Sequence, residues 1–264
     1  MAGTGVFSPG RAQIEARTLR RDRWWLEPAI TFTVFSAFVV YATVRAFWDT
    51  NYYVADAHLL SPFYSPCLSS GCVKDASHLG TPVGDWWSLS PALLVLIAPL
   101  GFRMTCYYYR KAYYRAFWMS PPACAVAEPH AKYSGETRFP LIFQNAHRWF
   151  FWLSLPLPIL IGADAVDAAY AGGEWRFGLG ALLLLITAVT LLAYSLSCHS
   201  CRHIMGGRLN HFSKHPVRYW GWTQVTKLNA RHMQLAWISL IAVWAADVYV
   251  LLVASGAFHD PHFG

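Results

Sequence analysis

Six cysteines and eleven histidines occur in this 264-residue sequence, and most of those able to act together sit at the ends of apolar stretches. Cys106, Cys124, Cys198 and Cys201, with His147, His199, His203, His232 and, further out, His211, fall towards one side of the chain's membrane-length segments. Thiolate and imidazole are the soft and borderline ligands that hold zinc and iron–sulfur centres. The densest piece is Ser-Cys-His-Ser-Cys-Arg-His at 197–203. At roughly 100° per helical residue, Cys198 and Cys201 stand about 60° apart, and His199 and His203 about 40° apart on a neighbouring face. Either pair can bite one ion. Two Cys on one iron and two His on the other describe a Rieske-type 2Fe–2S cluster, whose imidazoles raise its potential above that of an all-Cys cluster. The preferred ligand set is Cys198 and Cys201 with His147 and His232. Cys106 with Cys124 is the alternative thiol pair, and His199 or His203 the alternative imidazole. The competing cofactor is a haem b held between His147 and His232. A second haem is hard to build, because no His occupies the middle or outer half of an apolar stretch.

The elements that must position these groups are transmembrane helices. With 55% hydrophobic and 13% charged residues, the chain is too apolar for an ordinary soluble domain. Five helices are expected, at about 28–49, 87–106, 147–163, 177–197 and 233–254, the third being the shortest. About 20 residues cover the roughly 30 Å of hydrocarbon. The expected fold is therefore all-α, a polytopic bundle of five transmembrane helices forming a single membrane-anchor domain over 1–264. The Arg-rich segment 1–28 has no cleavage site after a short apolar core, so the first helix reads as an anchor and not a signal peptide.

Orientation follows from charge. Apart from Arg45, Lys74 and Arg176, all 21 basic residues lie in the N-terminal segment, in 103–148 or in 202–231. The positive-inside rule then puts the N-terminus in the cytoplasm and the C-terminus outside. The net charge of +7 is a topology signal, and nucleic acid is not an expected partner. Cys67 and Cys72 fall in the first external loop, where an oxidising compartment permits a disulfide. The other four cysteines lie on the reducing side, where metal binding gains weight. Counted at 1.5 Å per residue from the external ends, Cys106, Cys198 and His232 lie roughly 28, 31 and 33 Å deep, at one level.

Around that level the residues suit docking and a quinone pocket. Thr105 to Trp118 interleaves aromatics with cations, and Asn145 to Trp149 and Leu228 to His232 add polar groups where helices begin. Most of these read as interfacial anchors. A quinone head group needs a few donors in an apolar pocket, and Arg148, Trp149 and Tyr107 are the residues expected to supply them. Arg103 and Asp247 are ionisable groups within spans and should face the bundle or a cavity. Pro91, Pro99, Pro156 and Pro158 are expected to kink the second and third helices.

The runs Thr-Cys-Tyr-Tyr-Tyr-Arg-Lys-Ala-Tyr-Tyr-Arg, Ser-Pro-Pro-Ala-Cys-Ala-Val-Ala-Glu-Pro-His, Gln-Asn-Ala-His-Arg and Cys-His-Ser-Cys-Arg-His resemble those of the membrane-anchor subunit of actinobacterial, mycobacterial-type succinate dehydrogenases. The resemblance covers nearly the whole chain. It implies a respiratory complex II in the plasma membrane, with a flavoprotein subunit and an iron–sulfur subunit docked on the cytoplasmic face. Electrons would pass from succinate to a membrane quinone, menaquinone being expected, through a membrane-embedded Rieske-type 2Fe–2S cluster. The dicarboxylate chemistry belongs to the partners, since no flavin- or nucleotide-binding glycine pattern occurs here. The rival classes are a one-haem cytochrome b-type anchor and a non-redox transporter; the latter would be expected to carry more ionisable groups in mid-membrane.

Overall fold

The computed structural model describes residues 20–77, 79–128, 137–139 and 141–263. Of the basic residues used above for orientation, Arg11, Arg17 and Lys132 lie outside the described residues. The helices are α1 (Leu26–Trp48), α2 (Pro91–Thr105), α3 (Tyr107–Ala116), α4 (His147–Ser154), α5 (Pro156–Ala169), α6 (Leu179–Leu196), α7 (His199–Gly206), α8 (Pro216–Asn229) and α9 (His232–Ala254). Two antiparallel ribbons pair β1 (Tyr53–Val54) with β2 (Leu59–Leu60) and β3 (Phe177–Gly178) with β4 (His262–Phe263). Four segments among the described residues are long and apolar enough to cross a membrane, or five if α2 and α3 form one bent span.

Two expected boundaries move. The second helix starts at Pro91 and not at Trp87, because the Trp87 indole donates to the Ser90 carbonyl (3.0 Å) and the Ser90 hydroxyl accepts from Ala92 N–H (3.3 Å), forming a lead-in. Pro91 thus opens a helix instead of kinking one, where a missing N–H costs nothing, and Pro156 falls at the junction of α4 and α5 inside the third span. The third span is the longest. A 3₁₀ turn at Leu141–Ala146, α4 and α5 together make an apolar segment of 29 residues, Leu141–Ala169.

The chain divides into two compact units, residues 1–42 with 103–147, and 43–102 with 148–264. In the first, α3 packs on α1 through rings: Phe35 lies 5.6 Å from both Tyr109 and Tyr113, which stand one helical turn apart, and Phe32 lies 4.8 Å from Phe117. Arg103 is buried and donates to the Tyr109 hydroxyl at 2.8 Å, so this span-end cation does face protein.

In the second unit, α5, α6 and α9 share a core of Ile161, Ala165, Ala168, Ala181, Leu184, Ala188 and Val250, closed by Leu59 of β2. The small residues let the helices approach closely, as packing without a hydrophobic drive between spans requires. Gly180 makes the seat for Leu59, since a Cβ there would lie 2.5 Å from its side chain. The segment between α1 and α2 is tied down by the Cys67–Cys72 disulfide and by Tyr52 stacked on Tyr64 at 4.0 Å. Ser61 meets Asp247 and Ser65 meets Asp164, both carboxylates being buried. At the other end of the chain, the Asp260 carboxylate accepts from Gly180 N–H (2.9 Å) in the first turn of α6, a favourable place for a negative charge.

Candidate functional site

Cys106, Cys124 and His147 belong to the first unit, and Cys198, Cys201, His203 and His232 to the second. In the first, the helix breaks at Cys106, a buried residue in extended conformation that begins α3. His147 is buried where α4 starts, with its Nδ1 3.0 Å from the Thr105 hydroxyl and its ring edge-on to Tyr107 at 6.3 Å. Cys124 is exposed, its sulfur 4.0 Å from a guanidinium nitrogen of Arg115. Tyr107 is also exposed, under the Arg110 guanidinium at 4.8 Å.

In the second unit, α6 ends at Leu196 and Cys198 caps the next helix, its sulfur accepting from Ser200 N–H at 3.2 Å. Cys201 follows one turn on, also buried, and burial pushes its thiol pKa up. His232 opens α9, stacked on Tyr194 at 5.1 Å. Its Nδ1 lies 2.6 Å from the Ser197 hydroxyl, and that hydroxyl is 2.7 Å from the Tyr194 carbonyl. A carbonyl can only accept, so the single Ser197 proton goes to Tyr194 and the oxygen must accept from His232. Nδ1 therefore carries the ring proton of the neutral imidazole, and Nε2 carries the lone pair.

His203 has the opposite arrangement. Its Nδ1 lies 2.8 Å from Nη2 of Arg148, and a guanidinium can only donate. The lone pair is thus spent on Arg148, and Nε2 of the neutral ring bears the proton. Arg148 and Trp149 are both exposed, Trp149 by 72%.

Among the described residues no group of three or more His, Cys, Asp or Glu side chains is placed to hold a metal ion. A Rieske-type cluster asks instead for two residues per iron, a thiol pair and an imidazole pair. The donor chemistry fits that demand in part. Cys198 and Cys201 are a buried pair one turn apart, and His232 is a buried imidazole of the ligating tautomer, held through its other nitrogen as ligand histidines are. Ser197 and Thr105, which hold the two buried imidazoles, escaped the sequence reading. Ser197 precedes the Cys-His-Ser-Cys run, but its partner lies 35 positions away.

Residues 26–256 match the family model of the actinobacterial succinate dehydrogenase subunit SdhC. The chain belongs to this family. It is a multi-pass membrane-anchor subunit of succinate dehydrogenase, and the partners of such an anchor are a flavoprotein and an iron–sulfur subunit. A solved structure, the Mycobacterium smegmatis Sdh1 complex in the apo form, contains a chain 57% identical to this one. The two superpose with a TM-score of 0.89 over 99% of this chain and 100% of that one. No curated protein matches the sequence.

Proposed function

We propose that this SdhC-family subunit is a single membrane-anchor domain that carries electrons from the cytoplasmic iron–sulfur partner to a membrane quinone, using a Rieske-type 2Fe–2S centre. Its N-terminus is cytoplasmic in this reading, as the positive-inside distribution suggests. The observation that carries the metal assignment is the hydrogen-bond chain from His232 through Ser197 to the Tyr194 carbonyl, which fixes the ring orientation and the tautomer with the proton on Nδ1. Cys198 and Cys201 would hold one iron, and His232 would bind the other. When bound, such a centre supplies one-electron transfer at a potential raised by its neutral imidazole ligands.

The residues of the chain do the rest. Ser197 and Thr105 fix the ring orientations, Tyr194 covers one face of His232, and burial keeps water from the thiols. The Arg148 proton on His203 Nδ1 favours His232 over His203 as a ligand. Arg148, Trp149 and Tyr107 are proposed as quinone residues, since a guanidinium, an indole N–H and a phenol are donors that a quinone carbonyl can accept from.

The test is low-temperature EPR of the reduced, purified complex, with iron and acid-labile sulfide counted against protein. A Rieske-like signal and two irons beyond those of the iron–sulfur subunit are expected. A stoichiometric Soret absorbance without the extra iron would replace the cluster with haem b.

A further inference from the structure

α7 and α8 connect the end of α6 to the start of α9, both membrane-length spans, so this helical pair lies at the membrane surface. It is firmly built. The Arg218 guanidinium donates to the carbonyls of Met205 (2.8 Å), Ile204 (3.4 Å) and Gly207, satisfying the last turn of α7. Gly206 has no room for a side chain, since a Cβ would lie 2.5 Å from the Trp222 ring.

Between the two helices is a cavity of about 300 Å³ lined by His199, Arg202, His203, Gly206, Gly207 and Trp222. Arg202 is set for an external anion. Its Nε donates to Thr226 at 3.2 Å and its plane lies over the Trp222 indole at 5.4 Å. Among the described residues, its two Nη groups have no protein acceptor. Arg148 adds a second guanidinium beside His203. No Asp or Glu occurs anywhere between Glu174 and Asp247, so a stretch carrying Arg202, Arg208, Lys214, Arg218, Lys227 and Arg231 contains no carboxylate of its own.

We propose that the α7–α8 cavity binds the phosphodiester anion of a membrane lipid headgroup, with Arg202 as its principal donor. A guanidinium with two free Nη groups matches phosphate oxygens in a fork. A basic pocket at the ends of spans lies at the depth where lipid phosphates are found. The exposed Trp220 and Val217 of α8 suit the same interface, where indole and aliphatic groups meet headgroup and acyl chain. A carboxylate from one of the soluble partners is the rival counter-charge, and the headgroup is favoured because the cavity sits at the end of two spans.

The test uses the intact complex, delipidated in neutral detergent, with bound lipid counted by native mass spectrometry. Wild type should retain phosphatidylglycerol over phosphatidylcholine. Arg202→Gln should lower phosphatidylglycerol occupancy about five- to tenfold, Arg202→Lys should lower it less, and Lys214→Gln, outside the cavity, should leave it unchanged. Equal retention by Arg202→Gln and wild type would overturn the proposal. So would inorganic phosphate displacing the lipid at equal concentration, a short-chain quinone displacing it, or loss of the iron–sulfur subunit with lipid binding intact. If Arg202→Gln fails to assemble, the competition series on the wild-type complex decides by itself.

Discussion

Arg45 and Asp247, 202 residues apart, form an ion pair of 2.9 Å between side chains that are 1% and 0% exposed. Arg45 also donates to the Thr50 carbonyl (2.9 Å), and Asp247 accepts from Ser61. The pair thereby ties the end of α1 and the loop after it to the middle of α9. Two charges so far from water persist because each satisfies the other and the remaining donors find carbonyls.

Removing one partner leaves the other buried and uncompensated. Asp247→Ala is expected to destabilise the purified complex by about 3–5 kcal/mol, seen as a lowered unfolding midpoint in a denaturant series. The apolar exchange Arg45→Met with Asp247→Leu should cost far less than either single change. Equal losses in single and double variants would show that packing, and not the unpaired charge, sets the cost.

The spans were legible because α6 and α9 are rich in Leu, Ala, Val and Ile over a membrane's thickness, a signal that needs no tertiary context. The Arg45 pairing was not, because charge counting assigns Arg45 to a side of the membrane and says nothing of Asp247. Asp247 and Arg103 were readable as inward-facing for the reason that an ionisable group in a span must find protein or water. α3, α7 and α8 are short and polar, so a search for apolar length passes over them. Their packing faces were nevertheless in the sequence, as Tyr109 with Tyr113 and as Tyr219, Trp222 and Thr226 at helical spacing. At the proposed site, the tautomers could not be read from the sequence. Whether His203 or His232 offers a lone pair depends on Arg148 and Ser197, contacts made across 55 and 35 positions.

Tyr64, outside the spans, donates to the Arg45 carbonyl at 2.8 Å, and burial, the largest cause, pushes its phenol pKa up to about 12. An unfolded chain releases that proton near pH 10. The folded state then binds more protons between the two values, so stability is complete below about pH 10 and falls as pH rises towards 12. Alkaline titration followed by circular dichroism should show this loss, and Tyr64→Phe should flatten it. An unchanged slope in the Phe variant would assign the alkaline loss to other groups.

Gly101 of α2 faces the Phe150 ring of α4 so closely that a Cβ would overlap the ring atoms Cδ1, Cε1 and Cζ. The Ser154 hydroxyl, donating to the Ala98 carbonyl at 2.8 Å one turn away, fixes the same contact. Gly101→Ala is expected to cost about 1–3 kcal/mol by overpacking, and Phe150→Leu in the same chain should recover part of it. Thermal unfolding of the three variants in one detergent checks the order.

Ser197 holds His232 by one hydrogen bond and passes its own proton to Tyr194. Ser197→Ala removes the acceptor of Nδ1–H, so the ring can rotate and exchange tautomers, and the buried N–H loses its partner. Loss of such a supporting contact typically lowers metal affinity 10- to 100-fold. The expected result is a reduced iron content and a weakened or shifted EPR signal, with assembly and succinate oxidation by a soluble acceptor retained. Ser197→Thr, which restores the hydroxyl, should recover the iron. His203→Ala, whose ring spends its lone pair on Arg148, should leave the iron in place. If Ser197→Ala keeps full iron while His203→Ala loses it, the imidazole assignment passes from His232 to His203.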